Sequence, residues 1–347
     1  MQEISIDYSD CNATAPACPA GSTSPDSSMT IPSSKVTSYF KNTTDPGEAP
    51  TWCKTTRQVS YGVGDGGHEV TTPVCHVQLY IPDRLKSPVL LYYQLTNFYQ
   101  NHRRYVKSFD QDQLKGTYRS AKDINGSDCD PLKGEVAEDG TWKSYYPCGL
   151  IANSVFNDTI QTPVLLSTSG NSDDNETYPM TPNGTAWSTD ASLYQDLSPP
   201  TPYNYADVLP PPNWRERYPA YNETYPFPSL RSDDHFQVWM RTAGLPTFSK
   251  LYLRNDNQTM AVGRYQIDVY DCKPISGAIL LGTVYADATP FSDFPVTLYD
   301  GTKSILISTR TIMGGRNPFL GIAYIVVGGI CILLGGLFTV TQLIKPR

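Results

Sequence analysis

Residues 95–110 read LTNFYQNHRRYVKSFD, with Phe98, Tyr99, Tyr105 and Phe109 set around Asn97, Gln100, Asn101, His102, Arg103 and Arg104. Aromatics interleaved with arginines can stack on single-stranded nucleic acid, line a catalytic pocket, or anchor a protein partner. The formal net charge of −7 argues against the first use, because affinity for a polyanion depends on neutralising phosphates. Nucleic acid is not an expected partner.

Other constellations are weaker. GVGDGG at 62–67 has the glycine spacing of a dinucleotide loop, but HEVTTPVC follows it and reads as a strand, not as the helix that a pyrophosphate needs. A hairpin tip flanked by Cys53 and Cys75 accounts for it. The four histidines, His68, His76, His102 and His235, are scattered without metal-ligand spacing, and no Cys-x-x-Cys occurs. The paired aspartates in SDD at 172–174 and 232–234 sit in polar loops, where carboxylates are ordinarily solvated. Neither Gly-x-Ser-x-Gly nor His-Glu-x-x-His is present. The sequence predicts neither an enzyme nor a cofactor.

The elements that must position these residues are mostly strands. VCHVQLYI (74–81) alternates, placing Cys75, Val77, Leu79 and Ile81 on one face, and GRYQIDVYD (263–271) does so with Tyr265, Ile267 and Val269. Further strands are predicted at 89–95, 234–240, 278–286 and 304–309. No helical period is sustained before residue 318. Only 18% of residues are charged, while 24 tyrosines and 29 prolines suit an irregular, strand-rich, aromatic-packed protein. One large domain of packed antiparallel sheets, sandwich-like with long irregular insertions, is expected over 1–317. Residues 12–50, rich in Ser, Thr, Pro and Ala, and 166–230 read as poorly structured. Nine prolines between 199 and 228 make the second a surface excursion, which its tyrosines could order by lying on the β core.

Residues 318–344 read as a transmembrane helix, with 345–347 beginning a cytosolic tail. The uncharged apolar run Phe319–Ile344 would be about 39 Å long as a helix, against a bilayer core of about 30 Å. Gly321, Gly328 and Gly335 recur every seven residues, with Gly329 and Gly336 beside the last two, forming a stripe on which another helix could pack. Before the span, Asn-x-Ser/Thr sequons occur at Asn12, Asn42, Asn125, Asn157, Asn175, Asn183, Asn222 and Asn257, more than a cytosolic chain would carry. Seven of the eight cysteines also precede it. In an oxidising lumen the sequential pairs are Cys11–Cys18, Cys53–Cys75 and Cys129–Cys148, leaving Cys272 over, although sequence alone does not fix connectivity. The opening MQEISIDYSD has no signal-peptide character, so a lumenal reading calls for an upstream hydrophobic segment.

ISIDYSDC (4–11), LTNFYQNHRRYVKSFD (95–110), PCGLIANSVFNDT (147–159), VWMRTAGLPTFSKLY (238–252) and MGGRNPFLGIAYIVVGG (313–329) together resemble the cell division control protein 50 family, also called the ligand-effector-module family. The resemblance implies a non-catalytic β subunit of a type IV P-type ATPase, a phospholipid flippase, in a fungal-type member. It implies two membrane helices bracketing a glycosylated, disulfide-bonded exoplasmic β domain, so that Met1 stands where a first helix would end. The subunit would chaperone its ATPase out of the endoplasmic reticulum, towards Golgi, endosomes or plasma membrane, and support phospholipid flipping to the cytosolic leaflet. ATP hydrolysis would belong to the partner. Cys129–Cys148 matches the family's bridge before PCG, and Cys53–Cys75 and Cys11–Cys18 complete the expected set.

On this reading Phe98, Tyr99, Asn101, His102, Arg103, Arg104 and Tyr105 either build an internal network or dock the ATPase's exoplasmic loops. The alternative function is a stand-alone glycosylated receptor or glycan-binding surface protein.

Overall fold

A computed structural model describes residues 2–26, 29–42, 48–167, 174–197, 203–270, 300–309 and 318–344. The predicted strand 278–286, Cys272 and residues 345–347 lie outside the described residues. In chain order the strands are β1 (Glu3–Asp7), β2 (Val36–Tyr39), β3 (Thr51–Tyr61), β4 (His68–Ile81), β5 (Val89–Leu95), β6 (Gly134–Val136) and β7 (Trp142–Tyr145). They continue with β8 (Thr159–Ile160), β9 (Val164–Leu165), β10 (Glu176–Thr177), β11 (Val208–Leu209), β12 (Phe248–Asn255), β13 (Gly263–Tyr270) and β14 (Lys303–Thr309). The helices are α1 (Cys11–Thr14), α2 (Arg103–Lys107), α3 (Gln111–Leu114), α4 (Ala121–Asn125), α5 (Leu150–Asn153), α6 (Asp234–Met240) and α7 (Pro318–Ile344). Residues 2–309 form one compact unit, and α7 belongs to another.

Two sheets build the sandwich. One has the order β12-β5-β14-β1-β2; the other runs β10-β9-β13-β4-β3, with β8 also on β13. A third, small sheet, β11-β7-β6, contains a parallel pair, β11 on β7. Register explains the core. Leu91, Ile307 and Ile4 line up across β5, β14 and β1, as do Tyr93, Ile305 and Ile6 in the next row. On the second sheet Trp52, Val77 and Ile267 form one row, and Leu79 pairs with Tyr265. All these side chains share a single buried cluster. Each fully buried aliphatic residue contributes about 1.5–3 kcal/mol relative to exposure.

The alternating faces of 74–81 and 263–271 are as the sequence predicts. Residues 62–67 do form the tip of the β3–β4 hairpin, where Gly62 has φ +105°. Residues 234–240, predicted as a strand, form α6. Asp233 caps it by accepting from the Phe236 amide at 3.0 Å, and burial of Phe236, Gln237, Val238 and Trp239 leaves no polar face to reveal the helical period. The described parts of 12–50 are also more ordered than expected, through β2 and the Cys18–Cys53 disulfide.

Among the described residues the disulfides are Cys11–Cys75, Cys18–Cys53 and Cys129–Cys148, with Cα separations of 6.1, 4.9 and 5.7 Å. The third agrees with the expectation, but the expected Cys11–Cys18 and Cys53–Cys75 pairs do not exist. Cys53 stands opposite His76 and Lys54 opposite Cys75, so Cys53 and Cys75 point to opposite faces of the sheet. Cys75 faces the core, where it meets Cys11, just beyond β1; Cys18 is held beside Cys53 by a hydrogen bond from its amide to the Lys54 carbonyl.

Where the sheets meet, Lys303 of β14 donates to both carboxylate oxygens of Asp158 at 2.9 and 3.1 Å, and Tyr8 donates to Oδ2 at 2.8 Å. The Asp158 side chain is wholly buried. Removing one member of such a pair strands a charge in the interior. Asp158→Asn should therefore lower stability by about 3–5 kcal/mol, measured by denaturant unfolding of the purified protein. Non-reducing peptide mapping should recover Cys11–Cys75 and Cys18–Cys53 linked peptides; a Cys53–Cys75 peptide would contradict the register.

Candidate partner-docking surface

The 95–110 segment divides between core and surface. At the end of β5, Thr96 pairs with Thr302 through their hydroxyls at 2.9 Å. Asn97 then adopts φ +53° and donates from Nδ2 to the Asp300 carbonyl. This turn sends Phe98 inward, edge-on to Tyr105, Trp239 and Phe248. Tyr105 is buried as well and hydrogen-bonds Ser154 at 2.8 Å; its burial holds the phenol strongly protonated. Phe98 and Tyr105 are thus core residues, closed to a partner.

The outward half is positioned by a second loop, 241–247. The Phe98 amide donates to the Pro246 carbonyl at 3.0 Å, buried Gln100 accepts from the Ala243 amide at 2.8 Å, and Asn101 donates to the Gly244 carbonyl at 3.0 Å. Lys250 of β12 fixes the start of that loop. Its Nζ donates to the carbonyls of Val238 and Trp239, at 2.8 and 3.1 Å, and to that of Arg241, satisfying acceptors at the C-terminus of α6. Burial, reinforced by the Arg241 charge, pushes the Lys250 pKa down to about 7. His102 begins α2 by accepting the Arg104 amide at Nδ1.

The outcome is a small surface of mixed character. Tyr99 is 54% and Leu245 69% exposed. Asn101, His102, Arg103 and Arg104 are exposed beside them, and neither arginine side chain has a partner among the described residues. Nearby in sequence, Arg241 stacks over the exposed Trp187 ring at 3.7 Å and pairs with Asp190. Fixed apolar anchors beside unpaired guanidinium groups suit protein docking, where aromatic and arginine contacts carry much of the energy. Leu245 and Trp187 escaped the sequence reading; an exposed leucine between Gly244 and Pro246 was the available signal.

The other candidates disperse. His68 bonds Tyr225 and the Glu216 carbonyl, His76 lies between Thr55 and Asp268, and His235 stacks on Tyr252. Among the described residues no cluster of His, Cys, Asp or Glu could hold a metal ion. The sequons Asn42, Asn125, Asn183, Asn222 and Asn257 are exposed, while Asn12, Asn157 and Asn175 are half-buried. In α7, no atom lies within 4 Å of a Cβ built on Gly321, Gly328, Gly329, Gly335 or Gly336. The stretch Gly321–Ile344 is long and apolar enough to cross a membrane.

The family model of the LEM3 (ligand-effect modulator 3) / CDC50 family matches residues 1–347. The chain belongs to the LEM3/CDC50 family. It is 38% identical over 352 residues to the phospholipid-transporting ATPase accessory subunit CDC50 of Chaetomium thermophilum, covering 100% of this chain and 77% of that protein. It is 34% identical over 347 residues to the accessory subunit CRF1 of Saccharomyces cerevisiae, covering 100% and 74%. Cell cycle control protein 50A of Bos taurus is 38% identical over 274 residues, 77% of this chain and 67% of the relative. This LEM3/CDC50 chain thus combines a β sandwich with an apolar helix, α7, long enough to cross a membrane.

Core and surface halves of the segment should respond differently to truncation. Phe98→Ala should cost about 3–5 kcal/mol of stability. Tyr99→Ala should fall within about 0.5 kcal/mol of the parent, both read by thermal or denaturant unfolding.

Proposed function

We infer that this chain is the non-catalytic accessory subunit of a phospholipid-transporting P-type ATPase, with which it forms a heterodimer. The observation that carries this reading is the family match over the full chain, with fungal relatives named as accessory subunits of such ATPases. The ATPase hydrolyses ATP and moves phospholipid to the cytosolic leaflet; this subunit supports the partner's folding, its exit from the endoplasmic reticulum and its transport cycle. The complex travels the secretory pathway to Golgi, endosomes or plasma membrane.

The β domain faces the lumen or cell exterior, and α7 crosses the bilayer. The three disulfides among the described residues and five exposed sequons support that orientation, since disulfide formation and sequon glycosylation both take place in the secretory lumen. Occupied glycans at Asn12, Asn42, Asn125, Asn157, Asn175, Asn183, Asn222 and Asn257 belong to the same reading. The open glycine face of α7 packs against a membrane helix of the ATPase. Tyr99, Leu245, Asn101, His102, Arg103 and Arg104 dock its exoplasmic loops, the arginines meeting carboxylates or carbonyls.

Purification of the chain from its native membranes in mild detergent should yield a P-type ATPase at roughly one-to-one stoichiometry. Arg103→Ala combined with Arg104→Ala should reduce ATPase recovery at least ~10-fold, a loss of about 1.4 kcal/mol or more. Its melting temperature and glycan pattern should remain those of the parent. Retention of the double variant as misfolded protein would instead assign the arginines to folding, and a glycosylated monomer in the parent preparation would overturn the subunit reading.

A further inference from the structure

A cleft of about 310 Å³ opens between the segment after PCG and the proline- and tyrosine-rich excursion. Phe156, Tyr252 and Trp214 supply ring surface, and His235 lies against Tyr252 with ring centres 4.0 Å apart. Asn213, Asp233 and Arg217 supply polar groups. Nδ1 of His235 is buried and finds no hydrogen-bond partner among the described residues, an uncommon situation for a buried ring nitrogen. Apolar ring surface with a few convergent polar groups is the usual make-up of a small-ligand site.

One wall of this cleft is Asn157, the acceptor of the sequon Asn157-Asp158-Thr159. Its backbone is held on both sides: Arg217 donates to the Asn157 carbonyl at 3.0 Å, and Asp158 is locked by Lys303 and Tyr8. Exposed sequons such as Asn183, Asn222 and Asn257 do not line this cleft. We propose that the cleft is a carbohydrate cradle, seating the first N-acetylhexosamine of a glycan carried on Asn157 of the same chain. The rings of Trp214 and Phe156, the latter by the face opposite its stacking partner Tyr93, meet the C–H face of the sugar, His235 and Tyr252 close the wall beside them, and Asp233 and Asn213 meet its hydroxyl and acetamido groups.

Attachment joins the Asn157 side-chain nitrogen to C1 of the sugar. A lipid-linked oligosaccharide diphosphate is the donor; its C1–oxygen bond breaks, the lipid diphosphate leaves, and the amide proton passes to a base. The excursion that supplies Asn213, Trp214 and Arg217 comes later in the chain than Asn157, so glycan addition precedes closure. The sugar then acts as part of the wall on which residues 213–218 and 228–236 fold.

The cradle rests on the lumenal reading above, and one experiment separates the two. The full chain is purified in complex with its ATPase, and occupancy of each sequon is measured by glycopeptide mass spectrometry. The native complex is then digested with a peptide-N-glycosidase over time. Asn157 should be occupied and released at least ~10-fold more slowly than Asn222 and Asn257, because access requires local opening. After denaturation the rates should be equal. His235→Ala and Asn213→Ala should each accelerate release at Asn157 while leaving Asn222 unchanged. If no sequon is occupied, the lumenal reading and the cradle both fall. If others are occupied and Asn157 is bare, or if it is released as fast as Asn222, the cradle alone is overturned. Slow release that persists in both variants overturns it too, assigning protection to the surrounding backbone.

Discussion

The buried ion pair between Lys303 and Asp158 is the constraint to which the rest of the sandwich is tied. Lys303 begins the strand in the middle of one sheet, Asp158 precedes a strand of the other, and Tyr8 joins them from the end of the first strand. Main-chain bonds tighten the same corner: the Tyr8 amide donates to the Lys303 carbonyl, and the Ser9 hydroxyl accepts the Lys303 amide. A charge pair in so dry a place is stabilising only when every oxygen is satisfied, as Asp158 is. The Cys11–Cys75 disulfide crosses between the sheets from the same end of β1, so covalent and electrostatic ties act together.

Topology follows from that corner. β14 lies between β5 and β1, which means the central strand is the last of the described strands to be made. Residues 3–7 must wait for 304–308 to complete their hydrogen bonding. Such non-local pairing folds slowly and leaves sheet edges open meanwhile. A domain with this connectivity gains from a disulfide that holds the end of its first strand in place.

The surface proposed for docking draws on the same scaffold. Leu95 and Lys303 face each other at one end of the β5–β14 pair, and Val89 and Thr309 at the other, about 20 Å away along the strands. The 96–102 turn grows from the first end. At the second, the Thr309 amide donates to the Gln2 carbonyl. Rigid support under the exposed residues comes from the core members of the same motif, Phe98, Gln100 and Tyr105. A mixture of inward and outward residues within eight positions lets one short segment be both packed and presented.

Much was determined by sequence alone. Alternation of apolar residues is a local property, so β4, β5, β13 and β14, the chain's β class and the faces turned to the core could all be read directly. The membrane helix was equally legible, because an uncharged apolar run needs no partner to declare itself. Ordered matches in five segments carried the family. Tertiary structure decided what depends on distant neighbours. Cysteine pairing turned on which face of the β3–β4 ladder each side chain took, and that is set by register between strands. α6 was hidden because burial on every side erases amphipathic period. Phe98 and Tyr99 look interchangeable in sequence; only the left-handed turn at Asn97 and the loop 241–247 send one inward and leave the other facing out.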